Sequence, residues 1–162
     1  MRKIIFIAAA LLVLCASFSG CDTVKSFLSK NTNATVGEKT ENEKISYENA
    51  KMEYLSSTSD SLTVRIKNDT ASTWQSGNMR DYRLEAEKDG EWYEVKQIGE
   101  YANTMELMIF AGGQSMTHTF EFAARYGKLG AGKYRIVKSF WANATPTSEA
   151  HEFYLICEFT VE

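Results

Sequence analysis

The stretch Tyr82-Arg83-Leu84-Glu85-Ala86-Glu87-Lys88-Asp89-Gly90-Glu91-Trp92-Tyr93-Glu94-Val95 decides the fold class. Tyr82, Leu84 and Ala86 alternate with Arg83, Glu85 and Glu87, the period of a strand with one face on a core and the other on water. Asp89-Gly90 then supplies two residues that accept the positive φ of a tight turn, and Trp92-Tyr93-Glu94-Val95 runs back. Residues 81–96 are therefore expected to form a β-hairpin. Upstream, Leu62, Val64 and Ile66 alternate with Thr63, Arg65 and Lys67, and Asn68-Asp69-Thr70 closes the run with turn chemistry. Ile45 and Tyr47, followed by Met52 and Tyr54, mark a first strand with a break in phase. Downstream, Met105 to Phe110 is closed by Gly112-Gly113. Met116, His118, Phe120 and Phe122 share one face of the next segment. Tyr134 to Trp141 and Glu152 to Val161 complete the set. No apolar stripe at helical spacing extends beyond a turn or two.

Seven or so short strands at this spacing, joined by Gly, Asn and Asp turns, describe an all-β fold, an antiparallel sandwich over residues 45–162. A closed barrel has the same period and stays open as the alternative. The composition agrees, since 12% of the 162 residues are aromatic and only one is proline. That length holds one domain with appendages rather than two domains. A net charge of −3 without basic clusters excludes nucleic acid as a partner, because nothing neutralises phosphates.

Tyr126-Gly127-Lys128-Leu129-Gly130-Ala131-Gly132-Lys133-Tyr134-Arg135-Ile136-Val137 resembles the corner before strand F of immunoglobulin-like and fibronectin-like domains. Those often read Leu-x-x-Gly-x-Tyr, and the matching positions are Leu129, Gly132 and Tyr134. The resemblance implies that the Tyr134 hydroxyl bonds back to the chain just upstream. With Asn68-Asp69-Thr70, Asp89-Gly90-x-Trp92-Tyr93 and the closing Glu158-Phe159-Thr160-Val161, the segment looks like a bacterial immunoglobulin-like domain of a cell-envelope lipoprotein. The cysteine pair of antibody domains is absent. Such motifs carry fold and are silent on activity.

The chain opens with Arg2 and Lys3, then the apolar run Ile4 to Leu14, too short for a span of about 20 residues. Phe18-Ser19-Gly20-Cys21 follows and resembles a bacterial lipobox, with Phe18 where that pattern usually holds an aliphatic residue. The resemblance implies a signal peptide over 1–20, removed by cleavage, and lipidation of Cys21 at the extracytoplasmic face of the cell membrane. Each buried methylene of such an anchor contributes about 0.8 kcal/mol. Cleavage removes Arg2 and Lys3 and no acid, carrying the charge from −3 to −5. Residues 21–44 are mostly Ser, Thr, Asn, Lys and Glu and are expected to form a flexible tether. Cys15 leaves with the signal peptide, so Cys157 is the one remaining thiol and no internal disulfide is expected. It alternates in phase with Phe153, Leu155, Phe159 and Val161, which predicts a buried, inert side chain.

Little else carries chemistry. His118 and His151 stand apart without His-x-His spacing or paired cysteines, so no metal site is expected. Ala111-Gly112-Gly113-Gln114-Ser115 lacks the Lys-Ser/Thr of a phosphate loop, and no Gly-x-Ser-x-Gly elbow exists. No catalytic residue and no cofactor is assigned, and oligomeric state is not legible. The sequons at Asn33, Asn68 and Asn143 fall in turn-rich segments and carry no glycan expectation. Aromatic residues remain: Trp74 lies in the polar stretch Ala71 to Gly77, and Trp141 ends a strand. Together they form the candidate binding surface, since exposed tryptophan suits protein interfaces and sugar stacking, with packing of both rings on the sheet ends as the alternative. The expected role is a non-enzymatic module recognising another envelope protein through a sheet edge or end loops. A wall polymer read by stacked aromatics is one alternative. Inhibition of an extracellular protease by Met105–Gln114 or Ala142–Ala150 is a second, and a purely structural spacer is a third.

Overall fold

A computed structural model describes residues 34–41, 47–99, 105–142 and 151–162. The signal peptide, Cys21, Ile45, Asn33, Asn143 and most of Ala142–Ala150 lie outside them. Ten strands and one helical turn follow in order. They are β1 (Thr35–Lys39), β2 (Ala50–Ser57), β3 (Ser61–Asn68), β4 (Trp74–Ser76), β5 (Arg83–Lys88), β6 (Glu91–Lys96), β7 (Met108–Phe110), β8 (Ser115–Glu121), α1 (Ala123–Tyr126), β9 (Gly132–Ala142) and β10 (His151–Val161).

The strands form an antiparallel sandwich. One sheet runs β1-β6-β5-β9-β4-β7, with β10 on the other side of β9, and the second runs β2-β3-β8. The hairpin of the opening stretch forms in register, Glu85 opposite Glu94 and Lys88 opposite Glu91. Asp89 and Gly90 turn it with φ of 54° and 82°. The longest ladder joins β9 to β10 from Gly132–Val161 to Ala142–His151. The Ser57 hydroxyl donates to Thr160 O at 3.2 Å and fastens the end of β2 to β10 across the sandwich.

Alternation decides what is inside. Leu62, Val64 and Ile66 are fully buried opposite Leu84, Ile136, Leu155 and Cys157. Aromatic rings close both ends of this aliphatic layer. At one end Tyr47, Trp74, Phe110, Phe140 and Phe153 pack together, with Tyr47 stacked on Phe153 at 4.7 Å. At the other end stand Tyr82, Phe120, Phe122, Tyr126, Tyr134 and Phe159.

Three expectations are corrected. The tether over 21–44 is not unstructured at its C-terminal part, because β1 pairs Thr35 with Lys96 and Val36 with Val95. Backbone hydrogen bonds to β6 hold this strand; its sequence, Thr-Val-Gly-Glu-Lys, has too few apolar residues to show a period. The strands number ten among the described residues rather than about seven, because β4 and β7 have three residues each, too few to alternate visibly. Phe122 keeps the inward phase of Met116, His118 and Phe120 and is fully buried, but it lies beyond the strand they belong to. β8 ends at Glu121, and Phe122 caps α1 and stacks on Phe159 at 5.8 Å.

Candidate interaction surfaces

The corner before β9 positions the rest. The Tyr134 hydroxyl donates to Gly130 O at 3.0 Å, within a fully buried environment that pushes its pKa up to about 12. Gly132 sits under the ring: a Cβ there would meet Tyr134 Cε2 at 3.3 Å. Leu129 is buried and its N–H donates to Ser59 O at 2.9 Å, tying the corner to the β2–β3 turn.

Trp74 and Trp141 do not make one surface. Trp74 has no exposed area and packs against Tyr47, Phe110, Phe140 and Phe153. This overturns its assignment to a binding surface. β4 lies between β9 and β7 and turns the indole inward, with Ser76 buried in the same phase and donating to Ser139 O at 3.1 Å. Trp74 Nε1 has no hydrogen-bond partner among the described residues. Trp141, its counterpart, faces outward at 36% exposure while Phe140 faces in.

Trp141 belongs to a strip that ends at the sheet edge. Trp141 pairs with Gln75, and Gln75 with Ile109 of β7, so the three stand in one outward row. Ile109 is 61% exposed and Leu107, two residues before it, 64%. The space over Gly77, the residue after β4, is open. β7 ends the sheet path, so one side of its backbone enters no ladder among the described residues. Met108 and Phe110 occupy the inward phase, the latter stacked on Trp74 at 6.0 Å. Both phases of Leu107-Met108-Ile109-Phe110 are therefore apolar, and one had to face out. That doubled pattern was the available signal for this surface.

A different face is internally satisfied. On the outer side of β5 and β9, Glu85 is fully buried between Arg83 Nε and Arg135 Nε, each at 2.6 Å. The Arg135 guanidinium lies 4.4 Å from the Trp92 ring and buries it, so Trp92 covers a charge cluster rather than offering a surface. Asn68 is likewise committed: its amide donates to Ser72 O, Phe110 O and Ala111 O, holding β3 against the β7–β8 turn. A glycan on this sequon would consume one of the two hydrogens that make these bonds and would have to fit a fully buried site. Cys157 is free and buried, and burial pushes its thiol up to about 11.

The last feature is a cleft of about 400 Å³ between the entry to β5, β8 and α1. Met79, Tyr82, Phe120 and Arg125 form its buried wall, and His118 is half-buried beside them. The Arg125 guanidinium lies 5.4 Å from the Tyr82 ring and 5.2 Å from the Tyr126 ring, and its Nη1 donates to Arg80 O. The Tyr126 hydroxyl donates to Tyr82 O at 2.8 Å, which locks α1 in place. Desolvation, with a smaller effect of Lys138, holds the His118 pKa below its usual value. The sequence reading missed this cleft. Its lining comes from the β4–β5 connection, β8 and α1, which share no single local period.

Among the described residues no group of three or more His, Cys, Asp or Glu is placed to hold a metal ion. None of their helices is long and apolar enough to cross a membrane. In comparisons with known proteins, a family profile described as "Bacterial Ig-like domain" matches residues 41–154. No curated protein and no solved structure matches the chain.

Proposed function

The chain belongs to the bacterial Ig-like domain family, and from that premise we propose that it is a lipid-anchored, non-enzymatic interaction module. Its partner is another envelope protein, held along the free edge of β7. One observation carries this reading: the outward row Ile109–Gln75–Trp141, extended by Leu107, places exposed apolar side chains beside an unladdered strand edge. An extended partner segment adding to such an edge gains backbone hydrogen bonds, while alternate side chains seat on the apolar strip. Large apolar side chains at the centre of an interface contribute most of its affinity. A wall polymer is the weaker reading because burial of Trp74 leaves Trp141 without the second stacking ring expected for it. The anchor rests on the likeness of residues 18–21 to a lipobox, and it keeps the domain at the extracytoplasmic face.

Photocrosslinking in native membranes tests the surface. A crosslinker at Ile109 is expected to capture one protein, and a crosslinker at Arg65 on the opposite sheet to capture none. Leu107→Asp, placed in the Ile109 crosslinker chain, should abolish the adduct. Equal labelling from both positions would remove β7 as the docking edge. Cys21→Ala should release the chain from membranes or leave it unprocessed; a cleaved, membrane-bound product would refute the anchor.

A further inference from the structure

β8 leaves one edge of the smaller sheet open. The order β2-β3-β8 puts it last, and its far side enters no ladder among the described residues. The phase of that edge follows from the bonds on the near side. At the two ends of the β3–β8 pairing, the Asn68 N–H donates to Gln114 O at 2.9 Å and the Phe122 N–H donates to Asp60 O at 3.0 Å. Antiparallel strands alternate between residue pairs that exchange hydrogen bonds and pairs that do not. Met116, His118 and Phe120, in step with Gln114 and Phe122, therefore turn their backbone groups to β3. Thr117, Thr119 and Glu121 turn theirs to the open side. The Tyr82 hydroxyl donates to Glu121 O from that side at 3.2 Å, in agreement with this phase.

The 400 Å³ cleft lies along this edge. His118, Thr119, Phe120 and Glu121 line it in succession, both phases of the strand together, which places it beside the strand rather than over one face. Met79, Arg80 and Tyr82 form the opposite wall, and it is held in place. The Arg80 N–H donates to Asn78 Oδ1 at 2.9 Å, and Arg80 O accepts from Arg125 Nη1. Burial also falls towards the edge. Val64 and Ile66 of β3 have no exposed area, while His118 and Met116 opposite them are half-buried. The inner layer of the sandwich is thus uncovered where a further strand would complete it. Two arginines, Arg80 and Arg125, line the cleft against one carboxylate, Glu121, and Arg80 is exposed. That balance favours an acidic guest.

We propose that β8 takes up an extended acidic peptide segment as an added strand. The backbone of the segment pairs with Thr117 and Thr119. An apolar side chain in its inner phase seats on Met79, Tyr82 and Phe120, and an acidic one in its outer phase meets Arg80. Tyr82 already occupies Glu121 O, so the added pairing ends there. Backbone pairing supplies the affinity, and the alternate side chains select the sequence. This docking site lies on the smaller sheet and uses no residue of the β7 strip.

Fluorescence anisotropy with the detergent-solubilised full chain tests the proposal. The probe is a labelled, end-blocked hexapeptide alternating Asp with Val. Beside it stand a Lys-Val counterpart and a version N-methylated on each Asp, which removes the donors that face β8. Saturable binding of the Asp-Val peptide is expected, with the other two at least tenfold weaker. Thr119→Pro removes an N–H that faces only the open side, so β3 keeps its ladder, as on edge strands that carry proline. The variant should fold and bind at least tenfold more weakly. Arg80→Glu, on an exposed side chain, should weaken binding as well and serves if Thr119→Pro does not fold. No binding at millimolar peptide, equal binding of the Lys-Val or N-methylated peptide, or undiminished binding by either folded variant would overturn the assignment. A dimer of the full chain that Thr119→Pro dissolves would give the edge to a second copy and overturn it too. The Ile109 adduct is a separate measurement, so either surface can fail alone.

Discussion

Tyr134 sits where its identity follows from what lies four residues behind it. Its hydroxyl satisfies Gly130 O, a buried carbonyl at a chain reversal, and its ring covers Gly132. Removing the oxygen leaves that acceptor without its donor, so Tyr134→Phe should cost about 1 kcal/mol, read as a lower urea midpoint with an unchanged slope. A midpoint equal to the parent's would mean that the hydrogen bond contributes nothing net. This corner is local and was legible as a motif. Trp74 was not: Ser72, Thr73, Gln75 and Ser76 around it are the residues of an exposed turn. Only the approach of Tyr47, Phe110, Phe140 and Phe153 from four distant segments makes the indole a core residue.

At the level of elements, the β7–β8 connection shows how backbone contact substitutes for side-chain pattern. Gly112 passes so close to the β3–β4 loop that a Cβ would lie 2.7 Å from Thr70 O and 2.9 Å from Ala71 C. Those atoms are backbone, held by the Asn68 side chain, which also bonds the Thr70 N–H and hydroxyl. They cannot move without breaking that cluster. Gly112→Ala should therefore destabilise the fold by about 1–3 kcal/mol, as overpacking does. Thermal unfolding measures it, and a Tm within one degree of the parent would show that the loop yields freely. Gly77, with open space above it, is the matched control. β1 makes the same point in reverse. Its ladder to β6 is written in backbone groups, which every residue carries, so no side-chain pattern announced it.

For the molecule as a whole, the sandwich buries Lys138 as well as Arg125 and Arg135, and the lysine makes its stability pH-dependent. Desolvation pulls Lys138 down from 10.5 to about 8, with Asp81 raising it slightly against that. Between those values the unfolded chain holds a proton that the folded one has released, so the Lys138 contribution to stability rises with pH across that window. Below about pH 8 the cost of burying the charge is fully present; above 10.5 it is gone. Cys157, Tyr126 and Tyr134, raised to about 11, 12 and 12, act in the opposite direction above their unfolded values. Comparison with Lys138→Met cancels them. The variant should be more stable by about 1–4 kcal/mol at pH 7, and that advantage should vanish as pH approaches 10.5. An advantage that does not change between pH 8 and 10.5 would show that the amine is not desolvated in the folded state.

The amino-acid sequence by itself determined the strand periods, the Asp89-Gly90 turn, the inward set of β10 with Cys157 in it, and the corner at Leu129, Gly132 and Tyr134. Each depends on residues within one element or one turn, where alternation and φ are properties of the local chain. Tertiary structure alone decided that Trp74 is core and Trp141 is surface, that Leu107 and Ile109 face outward, and that Lys138 is buried between Ile136 and Phe140. Those outcomes depend on which distant segments arrive at the same place. With both phases of a strand apolar, or a charge in an inward phase, the local pattern has two solutions, and the packing of the two sheets selects one.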